Sequence, residues 1–261
     1  MNIKRYGAAI AVVSIALAML AMPVAAAVVA PPGGSVNGQF NAVTTPTITA
    51  TASGNSVYCT PNGVTTFTLT ATVTDVNGAA ASDQVSAQLY NGATALGAPI
   101  VVTSGTGTGN TATFTVGIPF PYNYPAGSAY SVVLTASNTQ KTSAAYTFSP
   151  ITYVAALGIS IDSGSSLNFG TLGPGDTSAT QTTTVHNTVN QAENMGISTN
   201  PWTSSASGAA SVPASSLSPN NPSPLSIDAH APIGFVETVP TGISPYAGTY
   251  TTTITLTASA A

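Results

Sequence analysis

Threonine alternates with apolar residues over long stretches of this chain, and no other feature restricts its fold so strongly. In "TTFTLTATVTD", Phe67, Leu69, Ala71 and Val73 share one parity, while Thr66, Thr68, Thr70, Thr72 and Thr74 share the other. Successive side chains of an extended chain point to opposite faces, so the pattern predicts a strand with one face in a core and one toward water or another protein. Threonine is β-branched, which favours the pleated conformation again. The same grammar runs through "TPTITATASG", "DQVSAQLYNG", "TATFTVGI", "SAYSVVLTASN", "SAAYTFSPI" and the closing "GTYTTTITLTAS", where Tyr250, Thr252, Ile254, Leu256 and Ala258 keep one parity. "DVNG" and "YNG" supply Asn-Gly hairpin turns. No helical window survives beyond the N-terminal stretch. The expectation is an all-β chain of half-buried antiparallel strands.

The strands fall into two blocks joined by "PITYVAALG" at 150–158, which predicts two β-sandwich domains in tandem, 41–156 and 157–261. Ahead of them, Lys4 and Arg5 precede an apolar run from Ala8 to Ala21 and a small-residue site at Val24-Ala25-Ala26. That layout predicts a signal peptide over 1–26, cleaved after Ala26. The competing reading is a retained anchor, because Ala8 to Val29 comes near the roughly 20 residues that a span needs. Residues 27–40, "AVVAPPGGSVNGQF", form an extension with a Pro/Gly hinge. After cleavage no later segment is long and apolar enough to span, so a secreted or surface location is expected.

Charge excludes whole classes of function. Only 4% of residues are charged, against about 25% in ordinary domains, and three are basic. Two of those, Lys4 and Arg5, lie in the predicted signal. Nothing remains to neutralise a run of phosphates, so a nucleic-acid partner is not expected. Cys59 stands alone, which rules out an intrachain disulfide and leaves pairing between chains or a buried thiol, the latter favoured by the strand "SVYCT".

The chemistry-bearing residues are sparse. His186 and His230 are far apart, with no HExxH and no cysteine cluster. His186 reads as a strand-end residue, His230 as a loop residue beside Asp228, and neither as a zinc ligand. No G-x-S-x-G supports a nucleophile, and Glu193 and Glu237 lie in separate loops. The expectation is therefore no catalytic residue, no cofactor, no metal and no enzyme. The nearest approach to an ion site is "TDVNGAAASD", where Asp75, Asn77 and Asp83 offer oxygens of the kind calcium takes. An Asx-rich hairpin turn explains the same residues. Asp176 in "PGDTS" reads as a turn residue capping local amides. The tyrosines of "FPYNYP" and "SPYAGTY" offer either carbohydrate stacking or proline-anchored loop packing.

"LNFGTLGPGDT" followed by "TTTVHNTVNQAENMGIS", and the final "VPTGISPYAGTYTTTITLTA", resemble strand-turn-strand patterns of Ig-like domains in secreted and cell-surface proteins. "FTLTATVTDVNGAAASDQVSAQLY" is similar to adhesion-type Ig repeats. A narrower resemblance is to subunits of non-flagellar surface filaments, the TasA/camelysin-like proteins of bacteria and the thread or bundling-pilus subunits of archaea. The resemblance implies secreted Ig-like or jelly-roll sandwiches, of which the archaeal members polymerise when an N-terminal segment completes the next subunit's sheet. On this chain the donor would be 27–40, with Ala27, Val28, Val29, Val36 and Phe40 as assembly residues. Pro31 and Pro32 depart from a simple donor strand, since each removes a ladder donor. Two functional readings stand: a self-polymerising filament subunit, and a monomeric Ig-like binding module or surface-layer accessory protein with surface glycans as partners. A secreted enzyme is the remote third.

Overall fold

A computed structural model describes residues 44–76, 83–138, 140–206, 208–222, 224–243 and 247–261. Residues 44–261, as described, belong to one compact unit that begins at Ala42. The signal and assembly residues expected at 1–40, Ala27, Val28, Val29, Val36 and Phe40 included, lie outside the described residues, as does Asn77. The described residues are essentially all-β and build several sheets, as the alternation predicts. No described helix is long and apolar enough to cross a membrane.

In the N-terminal half, β1 (Thr47–Thr51), β3 (Val64–Thr74), β7 (Thr111–Pro121) and β6 (Thr106–Thr108) lie side by side in that order. A second sheet runs β2 (Ser56–Tyr58), β9 (Tyr146–Val154), β8 (Gly127–Ser137), β4 (Gln84–Asn91) and β5 (Thr94–Val102). The core fills the space between them. Phe67, Leu69, Ala71 and Val73 of β3 are buried at every second position, with the intervening threonines outside. Opposite them on β7, Ala112, Phe114, Val116, Ile118 and Phe120 are each at most 1% exposed. Phe120 packs against Tyr130 and Tyr153 at ring separations of 5.3 and 5.2 Å. Both tyrosine hydroxyls find carbonyls, Tyr130 donating to Pro125 at 2.6 Å and Tyr153 to Pro121 at 3.2 Å. Burial still pushes both phenols up, Tyr130 to about 12. Cys59 is half-buried beside Tyr153 rather than fully buried, because β2 stops one residue earlier.

The C-terminal half is thinner. One sheet orders β10 (Ile159–Ser163), β11 (Gln181–Asn187), β15 (His230–Glu237) and β14 (Leu217–Asn220). Facing its core, among the described residues, are only paired strands, β12 (Glu193–Thr199) with β17 (Ile254–Ala260), and β13 (Thr203–Ser204) with β16 (Tyr250–Thr251). The closing threonine ladder is thus interrupted at Thr252–Thr253. Its apolar parity, Ile254, Leu256 and Ala258, is half-buried rather than buried. Beside it runs an open groove of about 350 Å³, lined in part by Ile161, Leu167, Phe169, Trp202, Ile254 and Leu256.

The halves are joined by more than their linker. The β11–β12 loop presses into the end of the N-terminal sheets, with Val189 and Asn190 fully buried. Its backbone carbonyls accept from Asn62 at 2.8 Å (Thr188) and Ala126 at 2.7 Å (Asn190). The Asn190 side chain bridges the linker, accepting from the Ala156 amide at 2.9 Å and donating to Val154 O at 2.8 Å.

Candidate metal centre

Strand pairing brings together three residues that sequence distance keeps apart. β11 and β15 are antiparallel with His186 opposite His230, and Ser160 of β10 stands opposite His186 on the other side. Ser160, His186 and His230 therefore form one row on one face. Asp162 is two residues beyond Ser160 and shares that face, as the period of two requires. The β10–β11 register shifts between Ile161 and Ser163, which leaves Asp162 as the extra residue of a bulge. A bulge bends the strand and re-aims that side chain.

The resulting geometry is compact. Nδ1 of His230 lies 2.5 Å from Oδ2 of Asp162, and Nδ1 of His186 lies 4.0 Å from Oδ1 of the same carboxylate. The two imidazoles stack 3.9 Å apart at 13°. Both Nδ1 atoms thus face one carboxylate, and one donor atom from each of Asp162, His186 and His230 lies within 4.8 Å of the others. His186 is buried, whereas the side chains of His230 and Asp162 are 54% and 34% exposed, so the centre opens to solvent on one side. Tetrahedral donors about 2.0–2.1 Å from a zinc ion stand about 3.4 Å from one another, a spacing that small side-chain rotations reach from here.

Around the centre lies a second ring of partners. His186 Nε2 is 3.1 Å from Oδ1 of Asp228, which sits at positive φ (57°) in the turn before β15. From the N-terminal half, the loop after β7 brings the Tyr122 hydroxyl to Asp228 Oδ1 and within 3.4 Å of His186 Nε2, while Asn123 Nδ2 donates to Asp228 Oδ2 at 3.4 Å. The Tyr122 ring also meets the His186 ring edge-on, at 6.0 Å and 76°. The hydrogen bond from Tyr122, then that from His186, hold the Asp228 carboxyl below its ordinary range. In return the carboxylate pushes the Tyr122 phenol up to about 12.

This cluster corrects the expectation that the chain carries no catalytic or metal chemistry and is no enzyme. A buried histidine, a stacked second histidine and a shared carboxylate, with an aromatic hydroxyl alongside, are the makings of a catalytic or metal-binding site. His186 does stand near a strand end, in β11. His230, expected in a loop beside Asp228, instead opens β15 and pairs with Asp162, while Asp228 pairs with His186. Asp162 is not singled out in the sequence, Asp228 reads only as the loop neighbour of His230, and Tyr122 only as one of the "FPYNYP" tyrosines. No sequence signal marks the set, since His186 is buried next to the buried Val185 and Asp162 stands at a break in the strand register.

The other sequence candidates lie elsewhere. Asp75 follows β3 and Asp83 precedes β4, both 2% exposed at the far end of the N-terminal sheets. Asp75 accepts from Asn138 Nδ2 at 3.0 Å. Burial first, and then the Asp75 charge, raise the Asp83 carboxyl above its usual range. Asp176 accepts from the Gly173 amide at 2.7 Å, as a turn-capping residue should.

No family model and no curated protein sequence matches the chain. Among solved structures it is similar to Escherichia coli alpha-2-macroglobulin activated by porcine elastase, at 9% identity and TM-score 0.24 over 82% of this chain and 22% of that one. It is also similar to the secreted serine protease VesC from Vibrio cholerae, at 9% identity and TM-score 0.18 over 82% of this chain and 50% of that one. The chain spans half or less of either protein, and likeness at this level carries no argument about its activity.

Proposed function

We propose that this chain binds a divalent transition-metal ion through Asp162, His186 and His230. The observation that supports it is the convergence of one carboxylate oxygen and two imidazole nitrogens within 4.8 Å on a single sheet face. Two imidazoles and a carboxylate suit zinc, copper, nickel or iron(II) rather than calcium or magnesium, which prefer oxygen donors. Three protein donors leave at least one coordination position, and the exposed side of the centre lets solvent or a small ligand reach it. Structural zinc sites are closed by four protein donors, whereas an open position is what Lewis-acid chemistry requires. Calorimetric titration of the purified, chelator-treated chain with Zn²⁺ tests the reading. One ion bound per chain, lost in the His186→Ala/His230→Ala double variant, is expected; identical heats from both proteins would refute it.

A second reading concerns assembly, and the half-covered C-terminal half supports it. Among the described residues β17 pairs with β12 alone, beside an uncharged groove lined by apolar side chains and by serines and threonines. An exposed strand edge without charged residues recruits other chains. We infer that the chain is an exported surface protein of tandem Ig-like sandwiches whose groove accepts residues 27–40 of a second copy. A segment of one copy held in the groove of the next is a head-to-tail contact. Head-to-tail contacts of that kind build open filaments. Deleting 27–40 should abolish threads of regular width in negative-stain images and leave a monomer that binds the 27–40 peptide. Filaments from the truncated chain would refute the assignment.

A further inference from the structure

We propose that Tyr122, contributed by the opposite half of the chain, is the positioning residue of the metal centre, acting through Asp228 on His186. The inference rests on the metal-binding reading. An imidazole that binds a metal through Nδ1 must carry its proton on Nε2, and its other ring nitrogen decides which tautomer prevails. Here Nε2 of His186 faces Oδ1 of Asp228 at 3.1 Å. A carboxylate only accepts, so this contact places the proton on Nε2 and leaves the Nδ1 lone pair toward Asp162 and His230.

Asp228 cannot hold that position alone. It sits in an exposed turn, and its carboxylate is oriented by donors from the N-terminal half: the Tyr122 hydroxyl on Oδ1 and Asn123 Nδ2 on Oδ2. Tyr122 is itself fixed by the backbone, since its amide donates to Gly63 O at 2.9 Å at the end of β7. The chain of contacts runs from the N-terminal sheets through a hydroxyl and a carboxylate to the one buried donor of the centre. Partners of this kind behind a metal-bound histidine typically account for 10–100-fold in affinity. Coupling is reciprocal, so an ion that binds more tightly when Tyr122 is docked must also hold the two halves together by the same factor.

The test uses the full chain and Zn²⁺ as the probe. Tyr122→Phe keeps the ring against His186 and removes only the hydroxyl, and Tyr124→Phe in the same loop serves as the control. The variant should bind Zn²⁺ about 10–100-fold more weakly, with the control unchanged. In the metal-free wild type, ¹⁵N shifts of His186 should report the Nε2–H tautomer, and in Asp228→Ala a mixture of both. A general loss of structure would not produce that change of tautomer in a folded variant. Should Tyr122→Phe fail to fold, Asp228→Asn carries the same comparison. Wild type that binds no Zn²⁺ removes the metal-binding reading and this inference together. Wild type that binds, with Tyr122→Phe and Asp228→Asn equal to it, removes only the inference. The Nδ1–H tautomer at His186 would likewise overturn it.

Discussion

Replacing Asn190 by alanine should weaken the whole described unit, because its side chain is the clasp between the two halves. Asn190 is 0% exposed and makes two linker hydrogen bonds, from the Ala156 amide at 2.9 Å and to Val154 O at 2.8 Å. Each bond contributes about 1 kcal/mol net, and a buried group left without a partner costs a further ~1–3 kcal/mol. Val154 and Ala156 are half-buried, so water reaches them in part and the lower end of that range applies. The sum is about 3 kcal/mol, which for a unit of this size lowers the melting temperature by roughly 6–12 °C. The β11–β12 loop also carries the backbone bonds from Asn62 and Ala126, so releasing it loosens both halves. Urea unfolding, followed by tyrosine fluorescence for the N-terminal core and by Trp202 for the C-terminal one, reads the effect. Wild type should give coincident transitions, and Asn190→Ala an earlier and separated Trp202 transition. A destabilisation below about 1 kcal/mol with transitions still coincident would refute the reasoning.

Three further outcomes follow from named residues. Glu193 is fully buried with Oε1 accepting from the Gly158 amide at 2.6 Å and Oε2 unpartnered, and burial raises its carboxyl above 4.5. A raised folded-state value means its contribution is fully present below about pH 4.5 and is lost as pH rises through the folded value, so Glu193→Gln should flatten that part of the stability profile measured by thermal melts. Gly164 follows β10 at φ 71°, and a Cβ there would sit 2.4 Å from Thr182 O, so Gly164→Ala should displace the Asp162 bulge and weaken Zn²⁺ binding, read by the same titration as the wild type. Phe120→Ala removes the ring that Phe67, Tyr130 and Tyr153 pack around and should cost about 3–5 kcal/mol in urea unfolding.

Alternation carried the fold a long way. β3 follows its predicted parity residue by residue, because the sheets of the N-terminal half cover one face and water the other. The closing ladder was legible as strand but not in its burial, since parity cannot tell whether a second sheet is wide enough to cover Ile254 and Leu256. At His186 alternation fails outright: Val185 and His186 are both buried, one in the C-terminal core and the other under Tyr122. That cover comes from a loop 64 positions earlier in the chain. The centre was illegible for the same reason. Its histidines meet across a strand pair, Asp162 reaches them through a bulge, and neither register nor bulge leaves a spacing motif behind.

An ion between Asp162 and the stacked histidines is the central claim. A crystal of the Zn²⁺-loaded chain, measured at the zinc absorption edge, decides it. The prediction is one anomalous peak per chain, about 2.0–2.2 Å from an Asp162 carboxylate oxygen and from Nδ1 of both His186 and His230, with Asp228 still bonded to His186 Nε2. A peak elsewhere, or one bound to Nε2 of His186 with Asp228 displaced, would contradict the account.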